Sequence, residues 1–163
     1  WRDNRLNMIH EGTHGIQAAD LLGRKVVMHG GAGLQLLART VDATIQKALR
    51  RPELAAYANQ LAQALQDVGA AAKAAWATGD ANEALANAVP YMQAFGHMVL
   101  AWTWLDVADS VLASDATLSV AASAGRMGAC RYFYHYELPR IGAWLDVARR
   151  RDMTCAGMAE DAF

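Results

Sequence analysis

Residues 88–105 read AVPYMQAFGHMVLAWTWL, with no Asp, Glu, Lys or Arg among them. The stretch admits two readings that lead to different proteins. About 18 apolar residues are just enough to cross a bilayer. The same letters also suit the central helix of a bundle, apolar all round because every side packs on protein. Its interior carries Pro90, Gln93, Gly96 and His97, and the helical rhythm runs unbroken into Asp106 and Asp109. We therefore read a buried central helix and not a membrane span.

The rest of the chain is punctuated to match. Ala, Leu, Gln and Arg, all good helix formers, dominate, and no stretch alternates with period two for long. Gly30-Gly31 ends a first helical stretch. Arg51-Pro52 ends a second, with Pro52 placed to open the third in its first turn. Thr78-Gly79-Asp80 ends the third, and Asp80 is placed to cap the fourth. Ser114-Asp115 ends the fourth. The expectation is all-α: an antiparallel helical bundle of about five helices, near 15–29, 33–50, 53–77, 81–113 and 117–150. Leu85, Val89, Met92, Phe95, Val99 and Trp102 mark the apolar face expected of the fourth helix. Met127, Tyr134, Leu138, Ile141 and Leu145 mark that of the fifth. Pro90 and Pro139 each remove a backbone donor and should kink or split their helices. Asp152 to Phe163 loses the pattern and reads as a loose tail.

Composition narrows the function classes. A chain of 163 residues can bury a core without staples, and a formal charge of −1 implies no general attraction to polyanions such as nucleic acid. Cys130 and Cys155 cannot make a disulfide framework, and a reducing cytoplasm is the natural setting. The chain begins at Trp1, and WRDNR (1–5) is polar and charged, unlike a signal peptide. A start inside a motif leads to the expectation that the sequence is a piece of a longer protein.

That motif is IHEGTHGIQAAD, residues 9–20, which can be parsed in two ways. His10, Glu11 and His14 spell H-E-x-x-H, in which two histidines one helical turn apart hold zinc and the Glu serves its bound water; Asp20 falls where a third ligand could follow. Gly12 and Gly15 would then sit inside a helix, each costing about 0.8–1 kcal/mol relative to Ala. The long form of the motif wants Gly where Gln17 stands, and too little chain precedes His10 for the sheet it requires. The plainer view makes His10 and His14 polar residues at a helix start, with Thr13 as N-cap. It leaves the placement of Glu11 unexplained. No metal is expected.

The second parse is E-G-T-x-G-I-Q. Residues 1–26, WRDNRLNMIHEGTHGIQAADLLGRKV, resemble the last catalytic segment of the acyl-CoA dehydrogenases: R-D-x-x-I, then I-Y-E-G-T, then a helix G-I-Q-x-x-D-L-x-G-R-K. The match runs through Arg2-Asp3, Ile9, Glu11-Gly12-Thr13, Gly15-Ile16-Gln17, Asp20-Leu21 and Gly23-Arg24-Lys25. YMQAFGHMVLAW and CRYFYHYELPR are similar to the long bacterial branch of that family, which resembles the 3-methylmercaptopropionyl-CoA dehydrogenases and carries an extra C-terminal helical domain. The resemblance implies that residues 1–30 end a catalytic domain and 31–163 form the added bundle. It implies an FAD enzyme acting on an acyl-CoA thioester. Glu11 would remove the α-proton while hydride leaves the β-carbon, Gly12 would meet the thioester, and Thr13 and Gly15 would approach the flavin nucleotide. Electron-transfer flavoprotein or a similar acceptor, and a homo-oligomeric state, come with the family. The chain departs from the pattern at His10, where Tyr is usual, and at Gly15, where many relatives place Gln. Alone, these 163 residues lack the remainder of a flavin site and should be inactive. A non-catalytic interaction module with a vestigial E-G-T is the alternative.

Lesser features read as structural. Trp102 and Trp104 belong to core or interface, and His97 is a core histidine with a partner. His135 and Glu137 lie on different helical faces, and no Glu-x-x-His pattern supports a di-iron bundle. Arg149, Arg150 and Arg151 suit a helix C-terminus.

Overall fold

The computed structural model describes residues 13–113 and 118–162, and among these every regular element is helical. Helix α1 (His14–Asp20) runs directly into a wide π-turn over Leu21–Lys25. Helix α2 (Met28–Ala48) follows, then α3 (Ala55–Ala75), the short α4 (Ala81–Leu85), α5 (Ala88–Ala113) and α6 (Val120–Tyr132). A second π-turn (Phe133–Glu137) and a 3₁₀ turn (Leu138–Arg140) lead into α7 (Ile141–Arg150).

Helix α5 is the axis. It packs against α1, α2, α3, α6 and α7, and one edge, at Val89, Gln93, Leu100, Thr103, Asp106 and Ser110, faces solvent. Packing on five helices is why residues 88–105 are apolar over most of their surface. No helix among the described residues is long and apolar enough to cross a membrane. The stripe that α5 buries most deeply is Tyr91, Ala94, Met98, Ala101, Leu105 and Ala108. This corrects the face expected from the large apolar residues: Val89 is exposed, and Met92, Phe95, Val99 and Trp102 flank the core half-buried. The physical reason is backbone approach. Alanines on the buried stripe let neighbouring helices come close, and the bulkier side chains fill the grooves beside them. Helix α3 follows the same plan with Ala58, Ala64, Ala71, Ala72 and Ala75 buried beside Leu61 and Val68. On the last helical stretch the expectation holds for Tyr134, Leu138, Ile141 and Leu145, all buried, while Met127 is half-buried.

Boundaries differ where turn chemistry intervenes. The first break sits at His29, Gly30 and Gly31, all with positive φ (52°, 64° and 81°), so α2 resumes regular helix only beyond Gly31. Pro52 lies in a turn, and α3 begins at Ala55. Asp80 caps α4 by accepting from the Asn82 amide at 2.7 Å. The expected helix 81–113 is divided at Ala86-Asn87, which leaves Pro90 in the first turn of α5, where the missing donor costs nothing. Pro139 opens the 3₁₀ turn that separates the π-turn from α7. The expected stop at Ser114-Asp115 lies outside the described residues; Ser119 caps α6 through the Ala122 amide at 3.2 Å. The tail beyond α7 is mostly exposed, tied down by a bond from Asn87 Nδ2 to the Asp152 carbonyl at 2.7 Å.

Candidate functional site

Glu11, Gly12 and His10 lie outside the described residues. Thr13 and Gly15 lie within them, at the exposed start of α1. Thr13 occupies the N-cap position, but its side chain makes no capping bond; its carbonyl accepts from the Gln17 amide at 2.8 Å. A Cβ built on Gly15 would meet nothing within 4 Å, so no described neighbour demands glycine there.

Asp20 is already committed. Its carboxylate pairs with Arg24 and, at 3.4 Å, with Lys25. The Arg24 hydrogen bond leads in holding the Asp20 carboxyl below its ordinary value. An acid locked in two ion pairs is a poor third metal ligand, and no group of three His, Cys, Asp or Glu suited to a metal occurs among the described residues.

One side of α1 faces the bundle. Ala18, Leu22 and Val26 are buried, and Gly23 packs so tightly that a Cβ would come within 3.2 Å of the Leu85 side chain. The π-turn closes with the Val26 amide reaching back to the Leu21 carbonyl at 2.9 Å. In an α-helix that amide would bond to Leu22. The Leu22 carbonyl instead accepts from Trp76 Nε1 at 3.0 Å, from the end of α3. Two clefts flank the following segment. One, of about 310 Å³, is lined by Leu21, Val26, Met28, Leu34, Leu37 and Phe95, with Arg24 and Lys25 beside them. The other, of about 500 Å³, lies between Val26–Gly31 and Gly69–Trp76. Neither is lined by a carboxylate, thiol or imidazole; Lys25 borders the first and Lys73 the second.

Residues 37–159 match the family described as acetyl-CoA dehydrogenase C-terminal like. The chain belongs to that family. The matched span covers most of α2 and every helix after it, the part of the chain built around α5. The chain is also similar to the 3-methylmercaptopropionyl-CoA dehydrogenase of Ruegeria pomeroyi (strain ATCC 700808 / DSM 15171 / DSS-3), 35% identical over 130 residues, covering 76% of this chain and 21% of that protein. The chain thus spans about a fifth of the length of the curated relative it matches. No solved structure matches it significantly. The resemblance to the acyl-CoA dehydrogenases, and to their C-terminal region, is borne out by both findings.

The remaining sequence candidates fall where a structural role puts them. His97 is half-buried, with Nδ1 at 2.9 Å from the Gln93 carbonyl and its ring edge-on to Trp144. Trp102 Nε1 donates to Thr44 at 2.8 Å, and Trp104 packs against the core. Each arginine of the basic run has its own carboxylate: Arg149 meets Asp67, Arg150 meets Asp146 at 2.9 Å and Arg151 meets Glu83 at 3.3 Å. Sequence reasoning missed three contacts: Trp76 on the π-turn, Arg151 at the end of α7, and buried Asp109 between Lys47 and Arg51 at 2.6 and 2.7 Å. Only Asp109 left a signal, as the one acid on the deep stripe of α5.

Proposed function

We propose that the chain is the C-terminal part of an FAD-dependent acyl-CoA dehydrogenase, in which residues 1–30 end the catalytic domain and 31–163 form an added helical bundle. The observation that carries this reading is the conjunction of a C-terminal family match over 37–159 with an E-G-T-x-G-I-Q segment at 11–17, N-terminal to it. Glu11 is the base. Its carboxylate takes the α-proton of the thioester, and the electron pair left behind forms the α,β double bond as hydride leaves the β-carbon. The flavin, when bound, supplies the hydride acceptor. Gly12 gives the loop freedom to bring Glu11 to the thioester, and an acyl chain that expels water raises the proton affinity of Glu11. Thr13 and Gly15 offer an unencumbered turn to the nucleotide. The bundle by itself is inactive, because Glu11 lies outside it. A cytoplasmic homo-oligomer passing electrons to an electron-transfer flavoprotein or a similar acceptor completes the reading.

The test is an anaerobic visible spectrum of the full-length protein before and after addition of a panel of acyl-CoAs. Bleaching of a flavin band by one thioester supports the dehydrogenase, and Glu11→Gln should then slow turnover by several decades. The second reading, a non-catalytic interaction module, draws on the exposed apolar side chains at the start of the chain, with Ile16 71% and Leu36 60% exposed. It expects Glu11→Gln to leave turnover intact.

A further inference from the structure

We propose that the surface made by the second π-turn and the 3₁₀ turn after it is a docking site for an acidic segment of another protein, with Tyr132 and Tyr136 as its anchors. The proposal goes beyond the dehydrogenase reading and does not depend on it. Tyr132 and Tyr136 are 53% and 65% exposed, yet they are ordered against each other. Their rings stack with centroids 5.1 Å apart and planes 18° from parallel. The Tyr132 hydroxyl donates to Glu137 Oε1 at 2.9 Å, and Arg140 pairs with Glu137 Oε2 at 3.1 Å. A pair held in this way loses little freedom when a partner covers it. Tyrosine and arginine are also enriched among the residues that anchor protein interfaces.

Charge gives the chemistry of the partner. From Leu118 to Tyr136 the chain carries no Asp or Glu. Arg131 and His135 are exposed, each one residue before a ring of the pair, and Arg131 meets no carboxylate among the described residues. The first acid beyond them, Glu137, is already engaged by Tyr132 and Arg140. Pro139 lines a cleft of about 290 Å³ with Gln60, Leu138 and Ile141, and the one acid on that cleft, Asp67, is paired with Arg149. The surface thus offers aromatic faces, a cleft for one apolar side chain and uncompensated positive charge. Its complement is an acidic segment that carries an apolar residue. Helix α6, which leads into the turn, packs chiefly on α5, and none of its residues before Cys130 is fully buried. Pairing the surface on itself in a second copy would bring arginine towards arginine, which opposes association. Two arginines are few for a nucleic acid, whose binding rests on many phosphate contacts.

The experiment uses the full-length protein and, as probe, a short fluorescein-labelled peptide of alternating Glu and Asp around a central Leu-Trp pair. Binding is read by fluorescence anisotropy, with a peptide carrying Lys for every acid as control. Tyr136→Ser and Arg131→Glu should each weaken binding about tenfold or more, as the loss of an interface anchor does. Added salt should weaken it as well. Arg39→Glu, which reverses an exposed charge on α2, should change it by less than about twofold. Circular dichroism of all three variants should match wild type. No binding by wild type overturns the proposal, as does equal binding of the Lys peptide or an equal loss in Arg39→Glu. Nitration with tetranitromethane reads the surface before any probe is added, and both tyrosines should react promptly. Protection at every dilution means that the rest of the chain covers them, and protection lost on dilution means that a second copy does; either overturns the proposal. So does a DNA duplex that displaces the peptide and binds with the same dependence on Arg131.

Discussion

Asp109 shows how a single residue is decided by its surroundings. It is 1% exposed, with Lys47 on one oxygen and Arg51 on the other. Burial pushes its carboxyl up, but the hydrogen bonds from Lys47 and Arg51 together push further the other way, and it settles below its ordinary 3.8. A carboxyl depressed in the folded state stabilises the fold above the unfolded value and loses that contribution as pH falls through the folded one. Urea titrations should show wild type losing stability on acidification below about pH 4. Asp109→Asn should be less stable by about 2–3 kcal/mol at pH 6, near the low end for a broken buried pair because Lys47 and Arg51 can turn to solvent. The gap should narrow as pH falls; a gap that widens in acid would contradict the assignment. Arg151 is the second case. It holds a left-handed conformation (φ 52°) at the end of α7, where glycine is the usual choice. Its guanidinium explains the exception, bonding the Ala74 carbonyl at 3.1 Å and pairing with Glu83. Thermal melts should rank wild type above Arg151→Gly, and Arg151→Gly above Arg151→Ala, since Ala keeps the strain of about 1 kcal/mol and loses the tie. An Ala variant as stable as wild type would remove that explanation.

At the scale of elements, the chain uses stops and caps to divide what periodicity alone would join. Residues 81–113 carry one helical rhythm, yet α4 and α5 are separate helices, and the division spares α5 an interior proline. The five-residue α4 depends on its cap, because so short a helix has few bonds of its own. Asp80→Ala should cost about 1 kcal/mol in denaturant unfolding. Proteolysis should then strike first near Ala81–Leu85, and a variant cut elsewhere would place the cap's role wrongly. The two π-turns are the elements least legible in sequence. Leu21–Lys25 and Phe133–Glu137 carry no proline and continue the helical spacing of their neighbours, and the first is met by a distant donor, Trp76. Tyr134 explains part of the second: from within that turn its hydroxyl reaches the Ala101 carbonyl of α5 at 2.9 Å.

For the molecule as a whole, α5 is the helix on which most of the others pack, and the two thiols report on that arrangement, one from the core and one from the tail. Cys130 is fully buried, and burial pushes its thiol up to about 11; Cys155 is exposed in the tail. An aromatic disulfide reagent at neutral pH should label Cys155 promptly. Cys130 should react only as fast as the whole bundle opens, and denaturant should bring both thiols to similar rates. Prompt labelling of both in native buffer would mean that α6 opens independently of the core.

The sequence alone determined the helical class, the central place of residues 88–105, most of the stops, and the resemblance carried by E-G-T-x-G-I-Q. These are local or periodic properties: propensity, spacing, a glycine or proline at a turn, a motif read in one line. The tertiary structure alone decided the deep face of α5, where alanines rather than the largest side chains mark closest approach. It alone decided that Asp109, Arg151 and Trp76 find partners 58, 77 and 54 residues away. Contacts at such separations depend on how whole helices are laid against one another. No periodicity within one helix encodes which carbonyl of another it will meet.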